Sequence, residues 1–222
     1  MNDQMMELIF LDTARLNGLK TASQIEKFRK RFFELIDFTN DQGEIIGTAP
    51  RGFAHRVGLR HFTVNVFIRD ELNLLLLQQR RGGVDGEAMR LDISAAGHVK
   101  AGVKDFVGEA VRELEEELGT KVNKMNLRYI TECNRNSPFN ILKPYERNVE
   151  RRVVFEYLVA GEEKSLLQTN FESRKNVEEV SSMAWYPMKI VADLIQTGLT
   201  ADGLSGSFPQ YLSHIFDEEA VK

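Results

Sequence analysis

Five carboxylates fall within nine residues of this chain: Glu109, Glu113, Glu115, Glu116 and Glu117. Wound into a helix, Glu109, Glu113, Glu116 and Glu117 lie at i, i+4, i+7 and i+8 and share a face. Glu115 points away, about 200° around from Glu113. Like charges at these spacings repel by roughly 0.2–0.5 kcal/mol per pair. A solvated face would tolerate that in water. A hard divalent cation such as Mg²⁺ would turn it to use, because such an ion takes clustered oxygen ligands and keeps several waters. Glu113, Glu116 and Glu117 supply that cluster on adjacent turns. Arg112 is placed to pair with one of them and hold it. The run from Gly97 to Gly102 just ahead lets backbone groups approach a ligand closely. A cation beside such a loop suits a phosphoanhydride.

The helix itself is bounded by Asp105, a good N-cap, and Gly119, a good stop. Its apolar stripe is Phe106, Val107, Ala110, Val111, Leu114 and Leu118, so it docks on a core. Upstream, residues 1–32 read as amphipathic helix, with Thr21 opening a segment that carries Ile25, Phe28, Phe32 and Leu35 at helical spacing. Glu34–Phe38, the turn Asn40–Gly43 and Glu44–Ile46 predict a hairpin, and Pro50 and Gly52 break the pattern after it. In His61–Ile68, Phe62, Val64, Val66 and Ile68 share one face at period two. Asp70 and Asn73 bracket a turn into a partner strand, Leu74–Gln78. Gly82, Gly83 and Gly86 mark a loop, and Leu91–Ala95 a short strand. Beyond the helix, strands are expected at Leu127–Cys133 and Val153–Val159, with a loop at Asn134–Arg147. A second loop carries Glu172, Lys175, Glu178 and Glu179. Met183–Tyr186 is a strand, and Lys189–Gln196 and Phe208–Ala220 are helices. Helices set between and after a mixed, largely antiparallel sheet predict an α/β/α sandwich. The expected domains are a helical extension, 1–32, and a catalytic-size domain, 33–222.

The whole chain narrows the function classes. It has 222 residues, 42% hydrophobic and 28% charged, so a buried core is expected. A net charge of −4 argues against binding a nucleic-acid polymer. Cys133 stands alone, so the chain closes no internal disulfide. The first twenty residues lack the pattern of a signal peptide, and apolar runs such as Leu74–Leu77 are too short for a membrane span. A cytoplasmic protein acting away from the membrane is the expectation.

Arg112-Glu-Leu-Glu-Glu-Glu-Leu-Gly119 resembles the core of the Nudix box, G-x5-E-x7-R-E-U-x-E-E-x-G-U with U apolar. The resemblance extends over roughly residues 34–200. It implies a Nudix-type diphosphate hydrolase with a Nudix-like fold and Mg²⁺ or Mn²⁺ as cofactor. Glu113, Glu116 and Glu117 would then be metal ligands, with the Gly97 carbonyl a fourth, and Arg112 would orient them. Metal-bound water would attack phosphorus, with Glu113, Glu178 or Glu179 as general base. There are departures. The segment between Gly97 and Arg112 is one residue longer than the pattern. Val103 or Lys104 stands where the pattern has its early Glu, and Thr120 where it has an aliphatic residue.

The segment Gly47–His61 resembles isopentenyl-diphosphate isomerase and its hydrolase-like relatives within the same superfamily. His55, His61 and His98 stand near that isomerase's histidine ligands. Three features favour hydrolysis over isomerisation. The strand after His61 has no cysteine, Arg152 stands where a second carboxylate would follow Glu150, and the glutamate pair of the box is complete. A non-catalytic ligand-binding module on the same scaffold is the third reading. Arg80, Arg81 and Arg90, with His98, are candidates to face a small-molecule diphosphate: nucleotide, nucleotide sugar or isoprenoid. Phe139 and Tyr145 of the Asn134–Arg147 segment could meet its base or apolar tail. The N-terminal helical segment would cover the domain or form a homodimer contact.

Overall fold

A computed structural model describes residues 2–81, 89–119, 121–137, 147–173 and 180–220. Two helices come first, α1 (Asp3–Leu16) and α2 (Ala22–Phe33). Thr21 and Gln24 form a reciprocal capping box at the start of α2, which is why the helix begins there. The expected hairpin comes next, as β1 (Leu35–Thr39) and β2 (Ile45–Pro50). Where Pro50 and Gly52 break the pattern, a short helix follows, α3 (Arg51–Val57), with Pro50 at its N-cap position. Then come β3 (His61–Asp70), β4 (Leu74–Arg80), β5 (Leu91–Asp92) and β6 (Ala95–His98). The acidic helix is α4 (Phe106–Leu118). It is followed by β7 (Leu127–Ser137), β8 (Asn148–Val159), α5 (Glu162–Ser173), β9 (Val180–Pro187), α6 (Met188–Gln196) and α7 (Asp202–Ala220).

All described strands join one sheet organised around β3, which pairs with β1, β4, β6 and β8. The β3–β8 pair is parallel, running from His61 opposite Glu150 to Asp70 opposite Val159, and the other pairs are antiparallel. Period two then sorts β3 by face. Val64, Val66 and Ile68 pack with Ala110, Leu114 and Leu118 of α4 and Leu167 of α5. Phe67 packs on the other side with Val191 of α6 and with Leu204, Phe208 and Tyr211 of α7. The result is the expected α/β/α sandwich with a mixed sheet. A third cluster, Met6, Phe10, Ala14 and Phe32, is confined to α1 and α2 and touches the rest through Phe53 of α3. Among the described residues no helix is long and apolar enough to cross a membrane.

Four expectations about elements change. Leu91–Ala95 is not one strand: Ser94 breaks it, its hydroxyl donating to Leu76 O and accepting from Ile68 N at 2.8 Å. The expected loop at Asn134–Arg147 is shorter, because β7 continues to Ser137 and β8 starts at Asn148. Polar residues in that stretch suggested a loop, yet they are satisfied within strands, as where Arg135 donates to Asp202 at 2.8 Å. Glu172, placed in a loop by its polar neighbours, belongs to α5, which Leu167 and Phe171 anchor at i and i+4. Finally, α7 begins before Phe208 and carries Pro209 inside it. Thr120, the Gly82–Gly86 loop, Phe139 and Tyr145 lie outside the described residues.

Candidate active site

The local causes of α4 are the expected ones. Asp105 accepts from Gly108 N at 2.9 Å, and Gly119 ends the helix at φ 73°. Ala110, Leu114 and Leu118 are fully buried, while Val107 is 41% exposed and lies off the seam. Docking rolls Glu109 and Glu113 inward, so both are buried, whereas Glu116 faces solvent.

Arg112 organises three of these acids. It donates to Glu109 Oε2 at 2.8 Å, to Glu116 Oε2 at 2.9 Å and to Glu113 Oε1. Burial works against its charge, but these carboxylates hold its pKa above the ordinary arginine value. Glu113 titrates high, at about 7: burial raises it, Arg112 opposes, and Glu116 and Glu109 push it further up. Glu117 Oε2 accepts from Gln78 Nε2 at 3.0 Å. Gln78 was not singled out from sequence, although its place two residues beyond Leu76 on the period-two pattern puts it on the α4 side. Glu115 turns to Lys121, 2.7 Å away, and takes no part.

Gly97 lies on β6 opposite Val64. A Cβ there would fall 1.8 Å from Glu113 Oε1, so only glycine lets this carboxylate lie against the strand. The expected ligands, Glu113, Glu116, Glu117 and the Gly97 carbonyl, are all hard oxygen, the kind that Mg²⁺ and Mn²⁺ take. Among the described residues the three carboxylates do not converge as a group around one point in this structure.

The other expected site residues part company with this face. Arg80 donates to Asp92 Oδ2 at 2.9 Å. Asp92 also accepts from Leu204 N at the start of α7. Arg90 donates to Thr200 O, and Arg81 is exposed at the border of the described residues. Glu178 and Glu179 lie outside the described residues. Val103 packs against the core on the α4 side of the sheet, and Lys104 is exposed.

His98 neighbours Gly97 and so points to the opposite face of the sheet. There it meets His55 and His61 in one cluster, all three offering a ring nitrogen within 4.8 Å of the others. His55 Nε2 lies 2.9 Å from His98 Nε2, and His61 Nδ1 lies 2.8 Å from Leu59 O. Among the described residues, His61 Nε2 is buried with no hydrogen-bond partner. Burial lowers the pKa of both His61 and His98. The Glu150 charge opposes this at His61, and the Arg51 charge adds to it at His98. Among the described residues, this is the group of three whose ligand atoms converge closely enough for one ion. Beside it, Arg152 is 2% exposed and fills the place opposite Thr63 on β8. It donates to Glu150 Oε2 and Asp202 Oδ2, each at 2.6 Å. Gly206 of α7 leaves it room, since a Cβ there would lie 2.1 Å from Arg152 Nη1.

Residues 59–202 match the model of the NUDIX domain family. The chain belongs to the Nudix family. The Nudix chain is 44% identical to "Nudix hydrolase 3" of Arabidopsis thaliana over 93 residues, 41% of this chain and 12% of that one. It is 32% identical to an uncharacterised Nudix hydrolase of Clostridium acetobutylicum over 89 residues, 39% of this chain and 42% of the relative. The matches thus span less than half the length of either relative. The crystal structure of DR0079 from Deinococcus radiodurans shares the fold, at 22% identity and a TM-score of 0.58, covering 80% of this chain and 98% of that one.

Proposed function

We propose that this Nudix chain hydrolyses a small-molecule diphosphate with the aid of Mg²⁺ or Mn²⁺ held by Glu113, Glu116, Glu117 and the Gly97 carbonyl. The observation that carries the reading is Glu113, buried against Gly97 and titrating at about 7 although Arg112 donates to it. Such an acid favours its charged form once a cation neutralises its neighbours. When bound, the ion supplies activation of water and relief of charge on the transferred phosphoryl group. The chain's own work is positional. Arg112 fixes the carboxylates of Glu109, Glu113 and Glu116, Gln78 fixes Glu117, and the docked helix keeps the set on one face of the sheet. Deprotonated, Glu113 can accept a proton from an attacking water. Glu178 and Glu179, just ahead of β9, are the resemblance's other candidates for that base. In this reading residues 1–32 are an appended helical unit on a domain formed by 33–222.

The deciding experiment measures phosphate release from nucleoside and prenyl diphosphates with and without Mg²⁺. Turnover that needs the ion and is lost in Glu116→Gln supports the proposal. Binding without any turnover would favour a ligand-binding module. The histidine cluster keeps an isomerase-like chemistry as the second reading. Thr63 and Asn65 on β3, with no cysteine, and Arg152 beside Glu150 weigh against it.

A further inference from the structure

We propose that the hollow between the β1–β2 hairpin and the loop leading into α4 binds a small anion carrying a compact hydrocarbon group. The cavity measures about 200 Å³. Its walls are apolar: Phe62, Val99, Val103, Phe106 and Ile45. At the rim stand Lys100 and Lys104, both exposed, and among the described residues neither ammonium has a hydrogen-bond or ionic partner. The acid on the wall, Asp37, is already occupied, accepting from Thr48 Oγ1 at 2.6 Å and from Gly102 N at 2.7 Å. It therefore repels an anion less than a free carboxylate would.

The hollow is built before a ligand arrives. Ala101 N donates to Leu35 O at 2.9 Å, Val99 N to Phe62 O at 3.1 Å, and Val103 N to Lys100 O at 3.2 Å. Backbone bonds thus fasten the loop to β1 and β3, and little ordering is left for binding to impose. Size and polarity select the occupant. An apolar cavity of about 150 Å³ accepts benzene, so this one takes a single ring or a branched chain slightly larger. The polar edges of a nucleobase or sugar would find no partners on these walls and would be desolvated at a cost. A hydrocarbon group loses nothing there, and the two lysines meet the charge at its end.

Two sources share this chemistry: the apolar end of the hydrolysed diphosphate, or a separate effector. Phe106 stands seven residues before Glu113 on α4, about 10 Å along the axis and on the same face. One elongated substrate could reach both places.

Isothermal titration of n-pentyl phosphate, with inorganic phosphate and pentanol as controls, tests the site. It is run without divalent cations and repeated in Glu116→Gln, so its outcome is separate from that of hydrolysis. Pentyl phosphate should bind at least about tenfold tighter than either control. The Lys100→Ala/Lys104→Ala double variant should weaken it about tenfold, and so should Ile45→Trp, which fills the hollow from a half-exposed strand position. Glu116→Gln should bind as the parent does. Binding no tighter than that of phosphate, or unchanged in both folded pocket variants, would overturn the proposal. In the active enzyme, competitive inhibition by pentyl phosphate assigns the hollow to the substrate's end. A rate change without competition assigns it to an effector.

Discussion

Glu113 and Gly97 meet where α4 crosses β6, so closely that a Cβ on residue 97 would fall 1.8 Å from the Glu113 carboxylate oxygen. A flexible side-chain end is displaced, but it is displaced from the position that the proposed cation site requires. Gly97→Ala should therefore cost about 1–3 kcal/mol of stability, as overpacking does. It should weaken Mg²⁺ binding more than it weakens the fold. Thermal unfolding and Mg²⁺ titration on one preparation check both.

Glu116 is exposed and its bond to Arg112 is an i,i+4 surface pair, worth roughly 0.3–0.5 kcal/mol. Glu116→Gln should barely shift the unfolding midpoint. On the proposed chemistry it should lower kcat by about 100-fold or more, as loss of a metal contact does. Unchanged turnover would remove Glu116 from the metal site.

The high pKa of Glu113 has a sign that can be worked through. The unfolded carboxyl titrates at 4.5 and the folded one at about 7, so the folded state holds the proton more tightly. Without metal, this group's contribution is most favourable below pH 4.5 and is lost as pH rises through 7, by up to about 3 kcal/mol. Relative to Glu113→Gln, the parent should lose stability between about pH 5 and 8. Mg²⁺ should bind more tightly as pH rises across the same range, with proton release measurable by calorimetry in buffers of different ionisation heat.

His61 and His98 act in the opposite direction. Both titrate below the ordinary histidine value of 6.5, so the unfolded state takes up protons first as pH falls. Their contribution is intact above pH 6.5 and declines below it. In Glu113→Gln, where the opposing group is gone, the unfolding temperature should fall on acidification from about pH 7 to about pH 5.5.

Arg152→Met should destabilise by about 3–5 kcal/mol, because it strands the buried Glu150 carboxylate without its partner. Adding Glu150→Gln should recover part of the loss. Chemical denaturation of the two variants and their parent gives the comparison.

Much of this is readable in advance, for reasons that residue types carry. Asp105, Gly119 and the stripe Ala110, Leu114, Leu118 specify where α4 starts, stops and docks, because capping and burial are local properties. The alternation in His61–Ile68 specifies which side chains face α4. Partner choice is less accessible. Nothing near Gln78 in sequence announces Glu117, and nothing near Arg80 announces Asp92, since each pairing is set by how separate segments pack together. The helix α5 escapes a sequence reading because two buried anchors, Leu167 and Phe171, are too few to stand out from a polar run. By residue type His98 groups with the arginines expected to face a phosphate, yet strand alternation sends it to the far side of the sheet from Glu113.

Arg152 gives the molecule a cation that is written into the chain and cannot be exchanged or withheld. Its guanidinium joins Glu150 of β8 to Asp202 at the start of α7. On the other side of the sheet Arg112 meets Glu109, Glu113 and Glu116, and under the proposed chemistry that face would draw further positive charge from the surrounding solution. If the proposed cation site holds, a chelator would silence one face while leaving the seam of the other closed, so starvation for the ion and loss of the fold would be separable events.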